Sequence, residues 1–232
     1  VNNLLSPIFV AGFYYKTFMW PASFWEPVYE KLIRRAAGMG IAPDQPDPDR
    51  YERAHAFCDV LVIGGGPAGI QAAREAGEAG ERVLLVEQMP WLGGSIEKPT
   101  TDADTLAEMG NVTVMTRTTA FGQYDGNCFA LVERVADHVR VPPEGQPRQR
   151  SWVARAKRVV FATGAQERPL VFRNNDLPGV MLASAARDYV NRFAVRPGRN
   201  AVVFTNNDSA YEATLDLSAA GVDVSLLVDA RA

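Results

Sequence analysis

The sequence predicts an α/β fold: a parallel β-sheet covered by helices, an antiparallel β meander inserted among its strands, and a partial second βαβ unit. Three observations lead there. The runs CDVLVIG (58–64) and RVLLVE (82–87) are short and almost uniformly apolar, as parallel strands covered on both faces are. The segment between them, 67–79, has the length of a helix and places small residues toward the sheet. Beyond residue 110 the pattern changes to short β-type runs separated by turn signals.

Taken in order, residues 1–57 read as an aromatic N-terminal extension and linker. FWEPVYEKLIRRAAG (24–38) is expected to be a helix, with Pro27 in its first turn, Val28, Leu32 and Ile33 on one face, and Gly38 to end it. The Pro- and Asp-rich stretch 42–57 is expected to be a linker with little regular structure. Residues 58–180 form the first domain. Its meander, about 111–157, carries an Asp-Gly hairpin signal in YDGN (124–127) and a second loop in PPEGQP (142–147). RVVFATG (158–164) is then expected as a further buried strand. Residues 181–232 hold the partial second unit: helix 183–194, strand 200–205, helix 208–221 and strand 222–230.

Composition narrows the classes of function. Apolar residues make up 47% of the 232, charged residues 22%, and the formal net charge is −3, the balance of a globular protein. No basic run suggests nucleic acid. The opening LLSPIFVAGFYYKTFMW is aromatic, but Pro7, Lys16 and Pro21 interrupt it, and a membrane span needs about 20 continuous apolar residues. We expect no membrane role and read these aromatics as packing onto a protein surface. Cys58 and Cys128 form no CxxC pair, which fits a reduced, cytoplasmic setting. The chain starts at Val1 and stops just after a strand-like run; we expect it to be part of something larger.

One motif carries chemistry. Gly64-Gly65-Gly66-Pro67-Ala68-Gly69 fits GxGxxG between a strand and a helix, the Rossmann-like arrangement. Gly64 permits the tight turn, Gly66 leaves room for a pyrophosphate, and Gly69 lets the helix approach the strand. The helix N-terminus offers free N–H groups and partial positive charge to phosphates. Glu87 ends the second strand, where a carboxylate accepts hydrogen bonds from a ribose diol and repels a 2′-phosphate, disfavouring NADP. Glu87 also opens EQMPWLGG, an E-x5-GG motif, and FATGAQERP (161–169) places Ala-Thr-Gly at a strand end. The three motifs in this order resemble the two-dinucleotide-domain flavoproteins, with their FAD/NAD(P)-binding fold. In that class the first site usually holds FAD.

The second unit departs from that class. Its turn reads TNNDSA (205–210), without glycine, so each side chain carries a Cβ where a pyrophosphate would approach. We expect Asn207 or Asp208 to cap the following helix instead. His55 and His138 read as surface residues of the linker and the meander, Asp102 and Asp104 as solvated or capping loop residues, and Arg168 as surface as readily as a phosphate contact. No metal spacing is present in the sequence, and no catalytic residue is assigned.

AGFYYKTFMWP (11–21), CDVLVIGGGPAG (58–69), RTTAFGQYD (117–125), ATGAQERPLVFRNNDLPGVMLA (162–183) and AVVFTNNDSAY (201–211) together resemble the α subunits of the heterotetrameric sarcosine oxidase family. The resemblance implies a complex that oxidises sarcosine to glycine and formaldehyde with oxygen, tetrahydrofolate capturing the one-carbon unit. It implies partner β and smaller subunits, with FAD and covalent FMN mainly on the β subunit. It implies NAD⁺, without a redox role, in the site that FAD occupies in the reductases. Carried over residue by residue, that site is Gly64, Gly66, Pro67, Ala68, Gly69, Glu87, Gln88, Gly94, Ser95, Ala120, Thr163 and Gly164. The family's subunit is several times longer, and between Gly94 and Asn111 this chain is shorter than its pattern. Two other readings stand beside this one: a self-contained FAD-dependent pyridine-nucleotide oxidoreductase, and a non-catalytic dinucleotide-binding scaffold of a related amine- or opine-oxidising complex.

Overall fold

The computed structural model describes residues 20–40, 44–94 and 101–231, with the side chains of 101–104 excepted. The chain separates into two units, Val1–Pro48 and Asp49–Ala232. In the first, a short 3-10 turn (Ala22–Phe24) and a π-helical turn (Trp25–Tyr29) lead into helix α1 (Glu30–Ala36). The expected helix is therefore present but irregular at its start, and Gly38 at φ +68° follows its end. Its expected apolar face is open, with Leu32 60% exposed. The distinctive run at 11–19 lies outside the described residues.

The second unit is built on a six-stranded sheet in the order β3-β2-β1-β6-β5-β4. Its strands are β1 (Tyr51–Ile63), β2 (Val83–Val86), β3 (Val112–Met115), β4 (Thr118–Tyr124), β5 (Cys128–Glu133) and β6 (Gln149–Phe161). Strands β3, β2, β1 and β6 run parallel. Strands β4, β5 and β6 form the antiparallel meander. Helix α2 (Pro67–Glu78) joins β1 to β2, and α3 (Thr101–Glu108) precedes β3.

Three expectations need correction here. The stretch 42–57 is not linker throughout: β1 begins at Tyr51, and Tyr51–Ala56 pair with Gln149–Ala154 of β6. The alternation through Tyr51, Arg53, His55 and Phe57 puts these side chains on an exposed face, as one-sided strand pairing requires. Arg148 locks the start of this pairing. Its guanidinium donates two hydrogen bonds to the Asp49 carboxylate, at 2.8 and 2.9 Å, and others to the carbonyls of Ala136 and Val139. Next, 158–164 is not a separate buried strand. Residues 158–161 are the end of β6, with Phe161 59% exposed, and 162–164 follow it, because one long strand serves both the meander and the parallel sheet. Finally, Asp102 and Asp104 lie in helix α3, not in a loop; Leu106 of the same helix is fully buried and anchors it.

Two apolar clusters hold the sheet. On one face Val60, Val62, Val83 and Leu85 pack against Ile70, Ala73 and Leu106 of the helices. On the other, Leu61, Ile63, Leu84 and Val86 join Phe129 and Leu131 of the meander with Ala154 and Ala156. The central strands are thus covered on both sides, by helices and by the meander. Each such Leu or Phe contributes about 1.5–3 kcal/mol by leaving water. The meander starts beside the end of β2, where Thr118 N–H donates to the Glu87 carbonyl at 2.8 Å.

The remainder is helix α4 (Ala183–Phe193), strand β7 (Asn200–Thr205), helix α5 (Ser209–Ala219) and strand β8 (Asp223–Asp229). Strands β7 and β8 pair in parallel, so the expected second βαβ unit is present. Ala186, Leu217 and Val222 form its small core. Arg187 of α4 bridges to Glu212 and Asp216 of α5.

Candidate dinucleotide-binding site

The glycine turn connects β1 to α2, and its geometry shows why each glycine stands where it does. Gly64 has φ +106°, and a Cβ there would lie 2.3 Å from the Ala162 carbonyl oxygen at the end of β6. A Cβ on Gly69 would lie 1.8 Å from the Gly64 carbonyl oxygen, so this helix and this strand meet only with glycine at that point. Gly66 is different. Its φ of −74° suits any residue, and an added Cβ would come no closer than 3.9 Å to its neighbour, the Gly94 Cα. Its missing side chain leaves open space above the start of α2. Pro67 is the first residue of that helix and Ala68 the second; Gly66 accepts the Ile70 N–H at 2.9 Å. The N–H groups of the first turn therefore point into the same space.

Glu87 closes the turn from β2. It is buried, and its two carboxylate oxygens accept the N–H groups of Gly65 at 2.6 Å and Met89 at 2.7 Å. Each oxygen keeps a second lone pair for another donor. The E-x5-GG segment folds back onto the turn: Gly93 N–H donates to the Gly65 carbonyl at 2.8 Å, and Gly94, at φ +60°, faces Gly66. Thr163 and Gly164 follow β6 directly, with the Thr163 amide 3.2 Å from where a Gly64 Cβ would stand. Gln88 adjoins Glu87 on the exposed side, and Ala120 lies on β4 at the bulge between Ala120 and Gly122, against the meander core. Ser95 lies outside the described residues. The structure thus brings Gly64, Gly66, Pro67, Ala68, Gly69, Glu87 and Gly94 together at the β1–α2 turn, with Thr163 beside Gly64.

Two arginines at this place carry no local signal in the sequence. Arg134, just past β5, donates to the Gln88 carbonyl. Arg192, on α4, donates to the Gly94 carbonyl and lies 5.9 Å over the Trp91 ring. Both come from segments remote in sequence, so only the fold brings them to the 88–94 loop.

The turn of the second unit is filled by its own side chains. Asn207 Oδ1 accepts the Ser209 N–H at 3.0 Å, the cap expected of it, while Asp208 forms no cap bond and pairs with Arg231 at 2.7 Å. Asp229, at the end of β8, also binds Arg231 and accepts from the Tyr211 hydroxyl at 3.0 Å. Arg231 holds the Asp229 carboxyl well below the usual carboxylate range. His55, His138 and Arg168 are exposed and lie away from the turn residues in sequence. Among the described residues, no helix is long and apolar enough to cross a membrane.

Comparison with known proteins agrees with this geometry. Residues 59–157 match the FAD dependent oxidoreductase family. The chain is 52% identical to the sarcosine oxidase alpha subunit of Rhizobium meliloti over 100% of its own length and 25% of that protein. It is 32% identical to the A subunit of the opine oxidase of Agrobacterium tumefaciens over 75% of its length and 37% of that protein. It spans a quarter or less of the sarcosine oxidase subunits that it matches. Among solved structures, L-proline dehydrogenase from P. horikoshii superposes with a TM-score of 0.53 at 30% identity, over 80% of this chain and 37% of that one. With its glycine turn and mixed sheet, the chain is similar along its whole length to one quarter of a sarcosine oxidase α subunit, and within it residues 59–157 match the FAD dependent oxidoreductase family.

Proposed function

We propose that this chain is the dinucleotide-binding part of an amine-oxidising complex of the sarcosine oxidase type. The observation that carries the proposal is the glycine turn at the start of α2, where Gly66 places no side chain over the first-turn amides and the Glu87 carboxylate accepts the Gly65 N–H. It suits the ADP half of a dinucleotide. The first-turn amides and Gly66 would hold the diphosphate, and Glu87 would accept from the ribose diol. Gly94 and Gln88 would line the ribose side, with Ala120 toward the base and Thr163 and Gly164 toward the second nucleotide. The negative charge of Glu87 favours NAD⁺ or FAD over NADP.

NAD⁺ is our assignment for this turn; FAD is the alternative, and it is the one that the family match names. NAD⁺ here would stabilise and order the subunit; FAD would supply a hydride acceptor. The complex would oxidise sarcosine to glycine and formaldehyde with oxygen, in contact with tetrahydrofolate, its FMN and amine-oxidising FAD being held mainly by a β subunit. The match to an opine oxidase favours a second reading, the same role in a complex acting on a different secondary amine.

The test is an absorbance spectrum of the purified protein, followed by release and mass identification of the bound nucleotide. Released NAD⁺ with no flavin band from this chain supports the assignment. Flavin bands with FAD released from this turn overturn it in favour of the reductase-like alternative.

A further inference from the structure

We propose that Arg192 is a positioning residue for the dinucleotide, acting through Gly94 and tying the second βαβ unit to the glycine turn. The proposal rests on the dinucleotide reading above and extends it to a residue outside the first domain.

Four observations meet at this side chain. Arg192 lies in the last turn of α4, yet its Nη2 donates to the carbonyl of Gly94, 98 residues earlier. Its guanidinium also lies over the Trp91 ring of the same loop. Its Nε pairs with Asp188 one turn back, at 3.1 Å, which fixes the direction of the side chain. Finally, Gly94 packs against the turn: a Cβ on it would lie 3.1 Å from the Gly66 Cα. A cation that holds the Gly94 carbonyl and stacks on Trp91 sets the height of the loop above the helix N-terminus. It also adds positive charge beside the place a diphosphate would take.

The consequence is a linkage. If bound dinucleotide requires the loop in this position, then α4 is held in place by the ligand as firmly as the ligand is held by α4. The planar fork matters, because a lysine reproduces the charge but not the simultaneous stacking and carbonyl contact.

The experiment uses the full protein as purified, stripped of nucleotide, with NAD⁺ and FAD as probes in calorimetric titration. Hydrogen exchange is followed in 88–94 and 183–193 with and without nucleotide. In the wild type, nucleotide should slow exchange in both segments. Arg192→Met keeps the aliphatic stem and should weaken binding about tenfold, the size expected for one charge-assisted hydrogen bond. It should also abolish the ligand-induced protection of 183–193 while leaving that of the glycine turn. Arg192→Lys should fall between the two, and it decides the matter should the Met variant not fold. Wild-type affinity in both variants, or protection of 183–193 that survives in them, overturns the proposal. A wild type that binds neither nucleotide overturns the dinucleotide reading itself, and this proposal with it, a result distinguishable because it appears before any variant is made.

Discussion

Gly66 and Gly69 lie three positions apart in one motif, and the structure assigns them opposite sensitivities. In Gly69→Ala the new Cβ would stand 1.8 Å from the Gly64 carbonyl oxygen, well inside contact distance. The obstacle is backbone, and it cannot retreat. Gly64 donates its N–H to the Val86 carbonyl at 2.9 Å and already lies against Ala162, just past β6. Helix α2 must therefore move off the sheet and loosen Ile70 and Ala73 from the cluster around Val62 and Leu85. Overpacking of this kind costs typically 1–3 kcal/mol, and a clash with fixed backbone belongs at the upper end. At about 2–4 °C per kcal/mol for a chain of this size, the melting temperature should fall by about 6–12 °C. In Gly66→Ala the conformation is ordinary and the nearest atom is 3.9 Å away, so the melting temperature of the nucleotide-free protein should hold within about 2 °C, a surface-like change of about 0.5 kcal/mol. The new methyl fills the diphosphate's space instead, and nucleotide binding should be lost. Gly110→Ala, with nothing within 4 Å and no positive φ, is the control and should change neither property. Calorimetric melting and nucleotide titration of the three variants settle the matter. Equal melting temperatures for Gly69→Ala and wild type, or undiminished binding by Gly66→Ala, would refute the reasoning from the turn's geometry.

Other expectations follow from the packing and the charges. Phe129→Ala removes a ring that is 1% exposed and joins the meander to the parallel strands; it should lower unfolding stability by about 3–5 kcal/mol, read as a shifted denaturant midpoint. Burial, aided by the neighbouring Asp59 charge, pushes the Cys58 thiol up to about 11, whereas Cys128 is partly exposed. A thiol reagent at pH 8 should therefore label Cys128 first, and Cys58 on the timescale of unfolding. The Arg82 guanidinium, with help from its backbone N–H and from Lys157, holds the Asp59 carboxyl well below its ordinary 3.8. The stability this gives is present above about pH 4 and is lost as pH falls through the depressed folded value. Asp59→Asn should flatten the acid limb of the stability curve below pH 4 and leave its shape near neutrality unchanged.

How much of this was legible in the sequence depended on the range of the interaction. The β-α-β core was, because uniformly apolar runs flanking a glycine turn leave few other ways to bury Val62, Leu85 and their neighbours. The meander was also legible, from its hairpin signals. The start of β1 was not. Residues 51–57 carry charge and aromatic side chains on an exposed face, and their strand character comes from pairing with β6, nearly a hundred positions away in the chain. The same holds for β6, which local pattern divided into two pieces and the sheet made one. Helix α3 was hidden by two aspartates that read as loop, and is anchored by the buried Leu106.

The same division runs through the site. The sequence by itself determined which residues lack a Cβ at the turn and which acid ends the second strand, since GxGxxG and E-x5-GG are local requirements of a tight turn and a close approach. Its match to known relatives' motifs pointed to the family. The tertiary structure alone decided that Gly94 faces Gly66, that Glu87 binds the amide of Gly65, and that Arg192 reaches the loop from the second unit. Each of these is a contact between segments that the sheet brings side by side. Sequence spacing carries no information about such contacts until the pairing of the strands is known.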